Sequence, residues 1–196
     1  MTHSNSTSCT VVLDACVLYP APIRDILLSF ASEGLYIVKW SNIIQNEWLH
    51  NLLKKRIDIK QEQLLQTINA MNLAFPDANV VNFENLIPSI QLRDKDDRHV
   101  VACAIRCNAN SIVTFNIKDF PKKELSKYDI EVLHPDIFIE NLIDINPKIA
   151  SGAFHKMVSR LKNPKKSSEE VLNTLKKCGL ASSAEKLKTT ANSCYQ

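Results

Sequence analysis

The sequence predicts an α/β sandwich built on a mostly parallel sheet, with a small helical extension at its C-terminal end. Three observations carry this. Short apolar runs rich in β-branched residues (TVVL, LYIV, SIVTF) alternate with stretches of helical spacing through residue 140. These runs lack the apolar–polar alternation of a half-exposed strand, as expected for strands covered on both faces. Beyond residue 140 the helical spacing continues without strands, and the charge changes sign. Residues 1–140 carry 14 Lys and Arg against 17 Asp and Glu, whereas residues 141–196 carry 10 against 4. The expectation is one domain over residues 1–140 and a basic helical extension over residues 141–196.

The elements follow in order. Thr10–Leu13 (TVVL) runs into Asp14 and predicts a buried parallel strand. Pro20 and Pro22 mark a turn, after which Ile23, Ile26, Leu27 and Phe30 recur at helical spacing until Gly34 stops them. Residues 35–38 read as a second strand. Ser41 caps a helix running to about Arg56, and another helix spans residues 60–74, closed by Pro76. Residues 78–83 predict a further strand. The charged loop RDKDDR (93–98) precedes a small-apolar helix over 100–107, and residues 111–115 and 130–133 are strands. A helix follows over 135–143. Pro147, Gly152, Pro164 and Gly179 then divide the rest into short helices, one of which opens on Ser168, Glu169 and Glu170, placing acids in its first turn.

Composition excludes several function classes. Of 196 residues, 45% are hydrophobic and 23% charged, a balance that can bury a core. No apolar run approaches the ~20 residues of a membrane helix. The polar opening MTHSNSTSCT lacks the apolar core of a signal peptide, so the chain is expected to be cytoplasmic. The six cysteines show no C-x-x-C pairing. Cys103 and Cys107 sit four apart in an apolar helix, where cysteine acts as a small hydrophobe, so neither a disulfide framework nor a zinc site is expected. With three glycines in the chain, no glycine-rich phosphate loop is present.

The chemistry lies in acids at strand ends and helix starts. Asp14 directly follows TVVL and projects at the carboxyl edge of the sheet, where α/β proteins form their sites; as a lone aspartate it equally suits a helix cap. Glu47 has Ile43 and Ile44 one turn before it and Trp48 beside it. A carboxylate next to an apolar face is costly unless it is paired or binds a cation. Asp96 and Asp97 precede the 100–107 helix, which either could cap; Asp97, nearer the helix, is the better placed to point inward. Asn116 follows the strand SIVTF, and Asp119 comes three residues later. Converging on one edge, these carboxylates would repel one another unless protonated or neutralised. An oxygen-only cluster selects a hard ion such as Mg²⁺ or Mn²⁺. With phosphate as the other ligand, the constellation reads as metal-dependent phosphodiester hydrolysis.

The blocks VVLDACVLYP, WSNIIQNEWLHNLL, RDKDDRHVVACAI and IVTFNIKDFP, in that order across residues 10–121, resemble the PIN domain. Within it they look most like VapC-type toxins with a C-terminal helical extension, whose tail SSEEVLNTLKKCGL also resembles. The resemblance implies a PIN-like three-layer sandwich and a Mg²⁺-dependent endoribonuclease, often the toxin of a bacterial toxin–antitoxin pair. It implies RNA as substrate, a cognate antitoxin as protein partner, and commonly a homodimer. It places the metal-binding acids at Asp14, Glu47 and Asp97, with Asp96 the alternative to Asp97, which is favoured for its place at the helix start. Many relatives have an aspartate at the fourth catalytic position. Here Asn116 stands at the strand end and Asp119 follows, so either can serve, and the neutral amide would favour a single ion.

His99 and Arg98 are expected to cover the helix start and pair with neighbouring carboxylates rather than act as a base. Arg24, Lys95 and Lys118 are candidates for contacts to RNA phosphates. Trp40 and Trp48 read as core rather than as base-stacking platforms. The helices beginning near Ile23 and Lys60 offer apolar stretches for self-association. Two other classes remain in view. A phosphatase or phosphoacceptor on a similar sheet would want a D-x-D after the first strand, where this chain has Asp14-Ala15-Cys16. A catalytically weak RNA- or protein-binding module would be compatible with Asn116.

Overall fold

A computed structural model describes residues 9–193. The polar stretch 1–8 and Cys194 lie outside the described residues. Four strands form one all-parallel sheet: β1 (Thr10–Leu13), β2 (Ile37–Lys39), β3 (Ser111–Val113) and β4 (Glu131–Leu133), in the order β2-β1-β3-β4. The chain leaves β1 toward β2 and later crosses back past β1 to reach β3. The direction of connection therefore reverses between β1 and β3, where open α/β sheets leave a crevice at their carboxyl edge.

Between β1 and β2 lie α1 (Ala15–Leu18) and α2 (Ala21–Ser32); α3 (Asn42–Lys55), α4 (Gln61–Ala74) and α5 (Arg98–Arg106) connect β2 to β3. Right-handed crossovers to opposite sides of β1 place α2 and α5 on opposite faces of the sheet, giving three layers, while α3 and α4 lie beside α1 and α2. Val11, Val12, Leu13, Ile112 and Val113 are wholly buried, as expected for strands covered on both sides. After α6 (Lys122–Leu125) and β4, the chain continues through α7 (Pro135–Ile145), α8 (Pro147–Arg160), α9 (Ser168–Lys177) and α10 (Ala181–Ser193). Among the described residues, no helix is long and apolar enough to cross a membrane, and Cys9, Cys16, Cys103, Cys107 and Cys178 carry free thiols.

Most expected elements form within a residue or two, and three differ. Residues 78–83 make only a single parallel bridge, Trp40 to Asn79, instead of a strand. Asn82, at φ 60°, then turns the chain into a 3₁₀ turn over Glu84–Ser89, which ends the pairing. The second strand lies two residues later than expected, at Ile37–Lys39, in register with Thr10–Val12. Gly152 does not break a helix. It lies within α8, where burial of Ala150, Ala153, Phe154 and Met157 offsets glycine's penalty of about 1 kcal/mol. The expected stop at Gly179 does occur: its φ of 93° permits the reversal in which Leu180 N–H reaches back to the Leu175 carbonyl.

The apolar stripe of α2 is not free for self-association. Ile23, Ile26, Leu27 and Phe30 are wholly buried, and α8 packs along the helix. Trp40 and Trp48 are likewise core residues, fully buried.

Candidate active site

Asp14 ends β1, and its backbone N–H donates to the Val113 carbonyl at 3.1 Å, so it is fixed at the point where β1 and β3 run out together. Its carboxylate does two things. Oδ1 accepts the Ala15 N–H at 2.6 Å and caps α1, the role that suits a lone aspartate. Oδ2 accepts the Thr114 hydroxyl at 2.6 Å and the Cys16 thiol at 3.1 Å. Burial raises the Asp14 pKa; the hydrogen bonds from Thr114 and Cys16 oppose this, and the charge of Glu47 adds to it. Burial and the charge of Asp14 push the Cys16 thiol up to about 12, so it stays protonated and able to donate.

Ser41, fully buried, caps α3 by accepting the Ile44 N–H at 3.3 Å. The cap sets the phase of α3, and Glu47 stands between the first and second turns with 42% of its side chain exposed. Its Oε2 lies 3.3 Å from Nε2 of His99, as expected for a histidine that pairs with a neighbouring carboxylate. The His99 ring is nearly enclosed, and its Nδ1 has no partner among the described residues.

Asp97 occupies the N-cap position of α5, yet its side chain accepts no capping hydrogen bond. Its carboxyl is pushed up to about 7, by burial first and then by the charges of Asp14, Asp94, Asp119 and Glu47. Acids from four separate chain segments therefore bear on one group. Asp96 is exposed, and its backbone N–H is engaged by the Asp94 carboxylate at 2.9 Å. Beyond β3, Asn116 is exposed and its backbone N–H donates to the Thr114 hydroxyl at 3.0 Å, while Asp119 closes a 3₁₀ turn, half-buried, with its charge acting on Asp97.

The donor set is all oxygen and uniformly anionic, the kind a hard divalent cation would take and neutralise. Among the described residues, no three His, Cys, Asp or Glu side chains are grouped to share an ion as they stand.

Arg24 is half-buried. Its guanidinium lies 5.0 Å over the Trp48 ring and donates to the Leu18 carbonyl at 2.8 Å, bracing α1 and α2 against α3. Residue-by-residue reading missed Thr114 and Cys16. Their only signal is position, a hydroxyl ending SIVT and a thiol two residues after the first acid, and only strand pairing brings both to Asp14.

Residues 10–118 match the family model described as PIN domain, and residues 135–189 match one described as VapC50 C-terminal domain. The chain is 33% identical over 107 residues to a Mycobacterium tuberculosis protein named "Putative ribonuclease VapC50", the match covering 55% of this chain and 60% of that protein. The chain thus spans about three fifths of the length of this curated relative. No solved structure matches the chain.

Proposed function

The chain belongs to the PIN domain family, and from that premise we propose that it is a Mg²⁺-dependent endoribonuclease, the toxin of a toxin–antitoxin pair, acting on RNA in the cytoplasm. The observation that carries the chemistry is at the β1–β3 edge, where burial first, and then the charges of Asp14, Asp94, Asp119 and Glu47, push Asp97 up to about 7. Such a cluster holds latent binding energy for a cation, because neutralising any one acid relieves the others. The toxin role is supported by the ribonuclease name of the relative and by the match of residues 135–189 to the C-terminal domain model.

Asp14, Glu47 and Asp97 would hold the ion, Mg²⁺ or Mn²⁺, with Asp119 as the fourth acid. Asp119 is preferred to Asn116 because it is half-buried and its charge reaches Asp97, whereas Asn116 is exposed. When bound, the cation supplies positive charge for the scissile phosphate and lowers the pKa of water. The chain's own contribution is orientation. Thr114 and Cys16 fix Oδ2 of Asp14, and His99 holds Oε2 of Glu47. Outer partners of this kind are typically worth about 10- to 100-fold in metal affinity or activity.

The test is cleavage of total cellular RNA by the purified protein with Mg²⁺, with EDTA, and as Asp14→Asn. Discrete fragments from the wild-type protein with Mg²⁺ alone are expected. RNA bound but left intact under all three conditions would favour a catalytically weak binding module and overturn the nuclease reading.

A further inference from the structure

The acidic edge has a binding problem. A polyanion approaching four carboxylates is repelled, so the affinity for RNA must come from cations elsewhere on the same edge. Residues 160–166 supply a candidate. Arg160, Lys162, Lys165 and Lys166 fall within seven residues that contain no acid. Three of the six other basic side chains of the tail are committed: Lys156 pairs with Glu33, Lys176 with Glu185, and Lys186 with Glu140 and Asp144. None of the four in the connection forms an ion pair among the described residues. Arg160, Lys162 and Lys165 are exposed, and Lys166 is half-buried within the field of Glu170.

The packing decides where this connection emerges. Lys156 of α8 meets Glu33 just beyond the far end of α2, at 2.6 Å. At the end of α8, Met157 and Leu161, with Lys166, line a cavity of about 160 Å³ against Ala21, Pro22 and Asp25 at the start of α2. Helix α8 therefore runs antiparallel to α2 and releases the chain at the end of α2 that follows Asp14 and α1. In a parallel α/β layer that end is the carboxyl edge of the sheet, the edge that carries the acids.

The local backbone holds two of these cations together. Lys162 and Lys165 are paired across an antiparallel bridge that closes the turn, and both are exposed. An anion that meets one of them is therefore within reach of the other. We propose that the connection over residues 160–166, with Lys162 and Lys165 at its tip, is the anchor for the sugar–phosphate backbone of single-stranded RNA beside the acidic edge. The inference rests on the nuclease reading for the identity of the polyanion. It also gives the C-terminal helices a role in binding RNA, because they add cations to those that Lys95 and Lys118 expose beside the acids.

The experiment uses the full chain as Asp14→Asn with Mg²⁺, so that binding is read without cleavage. A fluorescein-labelled 12-nucleotide single-stranded RNA is titrated over a range of salt concentrations. Lys162→Ala/Lys165→Ala is compared with Lys148→Ala/Lys188→Ala, which removes the same charge from exposed positions elsewhere in the tail. The first pair is expected to flatten the salt dependence by about 1.4 in log–log slope and to weaken binding about tenfold at 0.15 M salt, while the second leaves both unchanged. In the cleaving protein, Lys162→Ala/Lys165→Ala should raise KM and spare kcat. Equal effects of the two pairs, no effect of either, or no RNA binding at all would overturn the anchor. A wild-type protein that binds RNA with this lysine dependence but never cuts it would overturn the nuclease reading and leave the anchor standing.

Discussion

Asp97 and Asp136 both stand at helix starts, and their surroundings drive them in opposite directions. Burial would raise either. At Asp136 the backbone N–H groups of Ser182 and Ser183 donate to Oδ2 and Oδ1 at 3.0 and 2.8 Å and outweigh it, holding the carboxyl below its ordinary value. At Asp97 no capping donor answers, and four other acids add to burial. The contrast extends to the two regions. In the C-terminal helices, carboxylates are paired and satisfied: Asp136 ties the first turn of α7 to that of α10, and Ser167 and Glu170 form a reciprocal capping box at α9. At the β1–β3 edge they are crowded. One region uses its acids for stability and the other stores repulsion that a cation or proton can release.

The strongest way to break the comparison is to remove charge at each end. Asp97→Asn is expected to reduce RNA cleavage by more than the ~100-fold typical of outer-shell losses, while raising the Tm of the metal-free protein. Asp136→Ala should do the reverse, leaving kcat of the folded enzyme unchanged. Loss of its acceptors strands two N–H groups at a helix start, at about 1–3 kcal/mol, with Tm falling by roughly 2–4 °C per kcal/mol for a chain of this size. Thermal scans and single-turnover cleavage on the same preparations check both. A fall in Tm for Asp97→Asn would show that its carboxylate is satisfied after all.

pH sharpens the same contrast. The folded-state pKa of Asp97 lies above its ordinary 3.8, at about 7. Its contribution to metal-free stability is therefore fully present below the ordinary value and lost as pH rises through about 7. For Asp136 the folded-state value is depressed, so its contribution is present above the ordinary value and lost as pH falls through the depressed one. Metal-free Tm followed from about pH 3 to 8 should decline less steeply toward neutrality in Asp97→Asn, Asp14 being raised as well, and less steeply on the acid side in Asp136→Asn. Mg²⁺ should oppose the decline toward neutrality alone.

The smallest effect is expected at α9. Ser167→Ala removes one half of the capping box and should destabilise by about 1 kcal/mol, read as a Tm lower by roughly 2–4 °C, with cleavage unaffected.

Much of this was legible in the chain. TVVL, SIVTF and the acids after them lie where local pattern places them, because apolar spacing reports which faces of an element are covered. Ser41 caps α3 as its residue type requires, and Pro147 and Gly179 punctuate the tail as their backbone preferences dictate. Residues 78–83 misled for the same reason. Their apolar pattern is real, since Ala78, Val80 and Phe83 are buried, but a bridge needs a partner strand and Asn82 turns the chain away from it.

What the sequence determined by itself is therefore the alternation of elements, the residue types at the strand ends and the charge of each half. The tertiary structure decided which donors meet which acids. Thr114 reaches Asp14 across 100 positions, His99 reaches Glu47 from another helix, Arg24 stacks over Trp48, and the end of α8 meets the start of α2. Secondary structure is written in intervals of two to four residues, which a sequence displays. Protonation, metal affinity and charge steering depend on groups a few ångströms apart in space and far apart in the chain, and only strand pairing and helix packing bring those together.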